Sequence, residues 1–178
     1  MARVPYLEES DLSEHAGLLD RIKRGRRGKL LNPYKALLHA PELARAWFEF
    51  TNTVRTAGSL DARLRELMVV LIARLTASAY VSGQHIPTLA IAAGVTLEEC
   101  FEIQDWRNLI KLSLRERAAL CCTEEMMKNG KISDSTFNEV KDLFSLPEQI
   151  ELMIVVGMYD MARLVFDTLE IDPEKNGA

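Results

Sequence analysis

Four polar residues stand on or beside the most apolar part of the chain: Glu66, Ser78, Ser82 and His85. Positions 78, 82 and 85 follow i, i+4, i+7 spacing, so on a helix they line one face, with Val81 close to it. Histidine titrates in the range useful for proton transfer. Glu66 lies on the preceding apolar segment, and a hairpin about Thr76-Ala77 would set its carboxylate against the imidazole. That arrangement makes a general acid–base pair. The same residues also read as a hydrogen-bonded histidine held between two apolar helices, without catalysis. Ser78 reads as the cap of its own helix rather than a nucleophile, because no general base is placed beside it. Ser82 is within one turn of His85, and Tyr80 either lines a pocket or packs in the core.

Other chemistries lose support. The chain has no glycine-rich phosphate loop, Cys-x-x-Cys pair, Gly-x-Ser-x-Gly elbow or His-Glu-x-x-His site, so no metal and no cofactor are expected. Cys100, Cys121 and Cys122 form no even framework, and the adjacent pair diverges by about 100° on a helix; they read as reduced structural thiols. Arg26, Arg27 and Lys29 are candidate clamps for an anion, Arg27 foremost, or else a solvated loop. Trp47 and Trp106 read as core or interface aromatics. Tyr159 and Asp160, inside the apolar stretch 153–166, face a pocket or an interface, with the interface favoured.

A net charge of −4 argues against a nucleic-acid partner while allowing a small anionic substrate. No apolar run reaches the ~18 to 20 residues of a membrane span, and the acidic N-terminal segment (Glu8, Glu9, Asp11, Glu14) lacks the plan of a signal peptide. The expected location is cytoplasmic.

The elements that would position these residues are helical throughout: apolar residues recur at helical spacing, and period-2 alternation bounded by hairpin turns is absent. The reading is an all-α, single-domain bundle of seven to eight helices over residues 1–178, with a core over about 25–170 and a frayed tail over 171–178. A first helix runs from Asp11 to about Arg24 on the stripe Leu12, Ala16, Leu19, Ile22, and a short one follows Asn32-Pro33. Pro41 opens the next, with Leu43, Trp47, Phe50 and Val54 as its buried face and Gly58 as its stop. The segment from Ser59 to about Leu75 is apolar on most sides and belongs at the centre. A helix over about 78–93 ends at Gly94. Capping-box spacing at Thr96/Glu99, Ser113/Glu116 and Ser145/Glu148, with Gly130 as a stop and a cap at Ser133 or Asp134, predicts helices over about 97–105, 114–128, 134–144 and 147–170. The segment Glu66-Leu67-Met68-Val69-Val70 is echoed by Glu151-Leu152-Met153-Ile154-Val155. Chance likeness of two buried helices and an internal pseudo-repeat both account for it.

Leu64-Arg65-Glu66, the run Ala77 to His85, Ala90 and Ala93-Gly94-Val95 resemble the central motif of the carboxymuconolactone decarboxylase and alkyl hydroperoxidase D superfamily. Asn32-Pro33, His39 to Leu43, Trp106 and Leu114 to Arg117 extend the resemblance over most of the chain. In the peroxidase branch a glutamate is followed twelve residues later by Cys-x-x-Cys and then by a histidine. Here those positions hold Glu66, Ser78, Val81 and His85. A thiol peroxidase needs a thiolate and a resolving thiol, which serine and valine do not supply, so the chain resembles the branch without the cysteine pair.

The resemblance implies a cofactor-free acid–base enzyme, a decarboxylase, isomerase or hydrolase acting on a small carboxylated lactone or carbonyl compound. His85 and Glu66 would be catalytic, and Ser78, Ser82, Tyr80 and Arg27 would bind substrate. An alkyl hydroperoxidase D-like antioxidant protein and a non-catalytic binding or scaffold member are the alternatives. Extensive apolar helix faces, with the resemblance, imply a homo-oligomer: a dimer, trimer or hexamer.

Overall fold

A computed structural model of the chain describes residues 2–174. It is all-α, with nine α-helices among the described residues: α1 Ala16–Gly25, α2 Asn32–Leu37, α3 Pro41–Thr56, α4 Ala62–Thr76, α5 Ala79–Gln84, α6 Leu97–Glu102, α7 Leu114–Asn129, α8 Asp134–Leu143 and α9 Leu146–Thr168. A 3-10 turn over Glu9–His15 precedes α1, a π-helical turn over His85–Ala90 continues α5, and a 3-10 turn over Ile103–Asn108 follows α6.

α4 is the central element. Residues from Leu67 to Ala73 are all buried, and α7, α9, α5 and the 3-10 turn after α6 pack around it. The main core joins Met68, Val69 and Ile72 to Ala119 and Cys122 of α7 and Leu152 and Val155 of α9. A second cluster, with Leu67, Val70, Leu71, Cys100 and Trp106, fills the opposite side of α4. Asp61 caps α4 by accepting from the backbone N–H groups of Arg63 and Leu64. Arg63 ties its first turn to α6 and α7, pairing with Glu99 at 2.5 Å and Glu116 at 2.8 Å.

The three predicted capping boxes are formed, at Thr96/Glu99, Ser113/Glu116 and Ser145/Glu148. Gly130 ends α7 at φ 73°, and Ser133 caps α8 through Thr136 N–H. Three expectations need correction. The Asp11–Arg24 helix divides at His15 (φ −114°, ψ 22°), before which the chain is a 3-10 turn kinked at Leu12 (φ −112°, ψ 20°), and Ala16 of its stripe is exposed. The buried face of α3 is Ala44, Phe48, Thr51 and Val54, while Leu43 is 71% and Phe50 44% exposed. Residues 171–174 do not fray: Ile171 is buried, the Asp172 backbone N–H donates to Tyr6 Oη at 2.9 Å, and Glu174 accepts from Asn32 N–H at 2.8 Å. The rest of the expected tail, 175–178, lies outside the described residues.

The echoed segments fall on α4 and α9, which pack together, but their glutamates do different work. Glu66 reaches His85, whereas Glu151 Oε2 accepts from Ser59 N–H and Oγ and from Leu60 N–H. A Cβ on Gly58 would meet that carboxylate, so a larger residue there would have to displace the Glu151 side chain from these bonds. Along α9 an apolar stripe of Leu146, Ile150, Ile154, Met161 and Leu164 stays exposed.

Candidate active site

The reversal between α4 and α5 builds the site. Ala77 adopts a left-handed conformation (φ 53°), ending α4, and the chain folds back so that α5 and the π turn lie against α4. Glu66 lies ten residues before the end of α4, and His85 lies at the start of the π turn. The hairpin brings His85 Nδ1 to 2.7 Å from Glu66 Oε2. His85 is 7% and Glu66 6% exposed. A carboxylate accepts only, so Nδ1 carries the proton and Nε2 is left as the free ring nitrogen. The π turn has a local cause: Pro87 has no N–H to return to Gly83, and the widened turn accommodates the lost bond.

His85 lines a cavity of about 100 Å³, walled by aromatic and apolar side chains including Trp47, Tyr80, Tyr159 and Phe166. The Tyr159 ring meets the imidazole edge-on at 5.2 Å between centroids. Burial pushes the Tyr159 phenol up to about 12, so it is neutral at physiological pH. Arg26 supplies the buried cation of this wall. Its Nη2 donates to Tyr34 Oη at 2.7 Å and Thr51 Oγ1 at 3.1 Å, and its guanidinium lies over the Tyr34 and Phe48 rings at 5.3 and 5.2 Å. No carboxylate pairs with it among the described residues. Burial lowers its pKa from the usual arginine value.

Of the residues expected to bind substrate, Tyr80 lines the cavity, with its hydroxyl turned to Glu174 at 3.1 Å. Ser78, Ser82 and Arg27 are not part of the cavity wall. Ser78 has the backbone position of a helix cap, but its Oγ donates to Asp167 Oδ1 at 2.7 Å and makes no cap bond. Ser82 is half-buried on the far side of α5, because the face toward the cavity is Tyr80, Val81, Gln84 and His85. Arg27 is exposed at φ 55°, and Lys29 is exposed too; the neighbouring Arg26 turns inward.

Sequence reasoning left Trp47, Arg55 and Tyr159 out of the site, and all three line the cavity. Tyr159 carried a signal, being a polar aromatic in an apolar stretch; Trp47 and Arg55 carried none that spacing reveals. Asp160 pairs with Arg163 at 2.6 Å on its own helix, and Trp106 is buried, donating to Glu124 at 3.2 Å.

The thiols lie away from this cavity. Cys100 and Cys122 are buried, and Cys121 is half-buried. Burial raises the Cys100 thiol and pushes Cys122 up to about 12. Among the described residues no group of three or more His, Cys, Asp or Glu side chains is placed to hold a metal ion, and no helix is long and apolar enough to cross a membrane.

Residues 41–125, a little under half of the chain and the part holding α3 to α7, match the carboxymuconolactone decarboxylase family. The matched segment includes both arms of the Glu66–His85 hairpin. Over that segment the chain is similar to the carboxymuconolactone decarboxylase family. Solved structures share the architecture. An uncharacterised peroxidase-related protein from Ralstonia eutropha JMP134, described as an alkylhydroperoxidase AhpD core, superposes with TM-score 0.82 at 18% identity, covering 98% of this chain and 93% of that one. A peroxidase-related protein from Silicibacter sp. TM1040 gives 0.82 at 17% identity, over 98% and 92%. A cysteine-to-alanine variant of the debrominase Bmp8, in complex with 2,3,4-tribromopyrrole, gives 0.80 at 16% identity, over 97% and 91%. Among curated proteins none matches the chain significantly in sequence.

Proposed function

We propose that the chain is a cofactor-free acid–base enzyme acting on a small carboxylated lactone or carbonyl compound, by decarboxylation, isomerisation or hydrolysis. The observation that carries this reading is the 2.7 Å contact between His85 Nδ1 and Glu66 on the wall of a cavity. Glu66 holds the imidazole in one tautomer and balances the charge it gains on protonation, while Nε2 takes a proton from the substrate or returns one. The Arg26 charge favours an anionic group in the cavity. Tyr159, neutral in its buried setting, has a hydroxyl free to donate to a carbonyl or enolate oxygen. In a decarboxylation the C–C bond electrons pass to the carbon left behind as carbon dioxide departs, and protonated His85 delivers the proton to that carbon. The largely aromatic and apolar wall suits a small ring, and the structurally similar debrominase has been solved in complex with 2,3,4-tribromopyrrole.

Two other readings have less support. A thiol peroxidase is disfavoured by Ser78 and Val81 at the motif positions and by the burial of Cys100 and Cys122. A binding protein without turnover is disfavoured by the open cavity beside the dyad. The reading includes a homo-oligomer, for which the exposed α9 stripe is the natural contact.

The test is an ultraviolet progress curve with a panel of carboxylated lactones and β-keto acids, with no added metal or thiol, for wild type and His85→Ala. Turnover by wild type that is lost in a folded variant is the expected result. Equal silence in both would discard this substrate class.

A further inference from the structure

A second cavity, of about 260 Å³, lies on the other side of the wall that carries Arg26. Arg55, near the end of α3, and Arg65, in the second turn of α4, both line it, and both are only partly exposed. Neither makes an ion pair or a side-chain hydrogen bond among the described residues. By contrast Arg3, Arg21, Arg45, Arg63, Arg107, Arg115 and Arg163 each reach a carboxylate within 3.6 Å. The one carboxylate on the cavity wall, Glu66, is engaged by His85. Asp61, at the start of α4, is turned to the backbone of its own helix. Asn52 and Thr56 add neutral polar groups to the lining.

Three arginines, counting Arg26 in the shared wall, thus line one concave space, and among the described residues none of them is paired with a carboxylate. Like charges held together repel one another, and an arginine fork matches an oxyanion in shape as well as sign. We propose that this second cavity is an oxyanion-binding site, taking a phosphate or carboxylate group between Arg55 and Arg65. It is separate from the cavity lined by His85, and it stands whether or not the dyad catalyses a reaction. Arg55 borders both cavities, whereas Arg65 borders only the second, so Arg65 is the residue that distinguishes them.

Isothermal titration of the full chain at low salt, with inorganic phosphate in one arm and acetate in the other, tests the site. Saturable binding in either arm supports it and tells which oxyanion is preferred. Arg65→Gln is expected to weaken that binding by about tenfold, Arg65→Lys to weaken it less, and Arg24→Gln, at an exposed position outside the cavity, to leave it unchanged. Thermal melts of each variant confirm that it is folded. Absence of saturable binding in both arms, or binding by a folded Arg65→Gln protein within about twofold of wild type, overturns the proposal.

Discussion

Glu66 Oε2 and His85 Nδ1 lie 2.7 Å apart across the α4–α5 hairpin, and both side chains are more than nine-tenths buried. A buried carboxylate and imidazole are each costly alone, and together they satisfy one another. Glu66→Gln keeps the volume but offers an amide that donates as readily as it accepts, so the imidazole loses its fixed tautomer. On the proposed mechanism kcat/KM falls by about a hundredfold, with the helical circular dichroism unchanged. Steady-state kinetics on the first substrate that turns over is the check, and an unaltered kcat/KM would remove Glu66 from the mechanism.

Arg26 and Arg27 are adjacent and have opposite surroundings. Arg26→Ala removes the bonds to Tyr34 and Thr51 and the stacking on Phe48, with an expected loss of about 2 to 4 kcal/mol. Arg27→Gly relieves a left-handed backbone in a non-glycine residue and is expected to leave stability unchanged or raise it by up to about 1 kcal/mol. Urea denaturation of the two variants measures both. Equal destabilisation would contradict the inward placement of Arg26 and the outward placement of Arg27.

Tyr159 sets an alkaline limit. The unfolded phenol ionises near its ordinary value of 10.0, while the folded one holds its proton to about 12. Across that window the unfolded chain binds fewer protons than the folded one, so stability falls as pH rises, by at most about 1.4 kcal/mol per pH unit from this group. Tyr159→Phe should flatten the decline relative to wild type when denaturation is followed from about pH 9 to about pH 11. Parallel curves would show that the phenol does not carry the effect.

The cysteines predict a labelling order. In the folded protein at neutral pH, iodoacetamide should modify Cys121 ahead of Cys100 and Cys122, whose thiols burial raises. Peptide mass spectrometry reads the order. Rapid labelling of Cys100 or Cys122 in the native state would contradict the structure and reopen the peroxidase reading.

Much of this architecture is carried by local signals. The capping boxes, Gly130 and the αL break after Thr76 depend on residues within one turn of each other, and each forms where its spacing places it. The apolar run of α4 likewise marks the one helix surrounded on all sides. What spacing does not reveal is the outcome of packing between distant elements. On α3 two overlapping rows, Leu43-Trp47-Phe50-Val54 and Ala44-Phe48-Thr51-Val54, are both compatible with a helix, and contact with the neighbouring layers selects the second. The face of 78, 82 and 85 assumes one helix through all three, whereas Ser78 stands outside α5 at its N-cap position and the row 81, 84, 85 faces the cavity, which therefore meets Val81 and Gln84 instead of the serines. Arg26 is chosen over Arg27 by the backbone at the end of α1, and Tyr159 reaches the site from α9, more than seventy residues from His85.

The most direct test of His85 as the proton-transfer group is exchange of the acidic C–H of a β-keto acid or carboxylated lactone into heavy water, followed by proton NMR. It reads proton abstraction even where no product forms. Wild type should accelerate the exchange, and His85→Ala, shown to be folded, should lose about a hundredfold or more of that acceleration. Equal exchange rates in the two proteins would contradict the account.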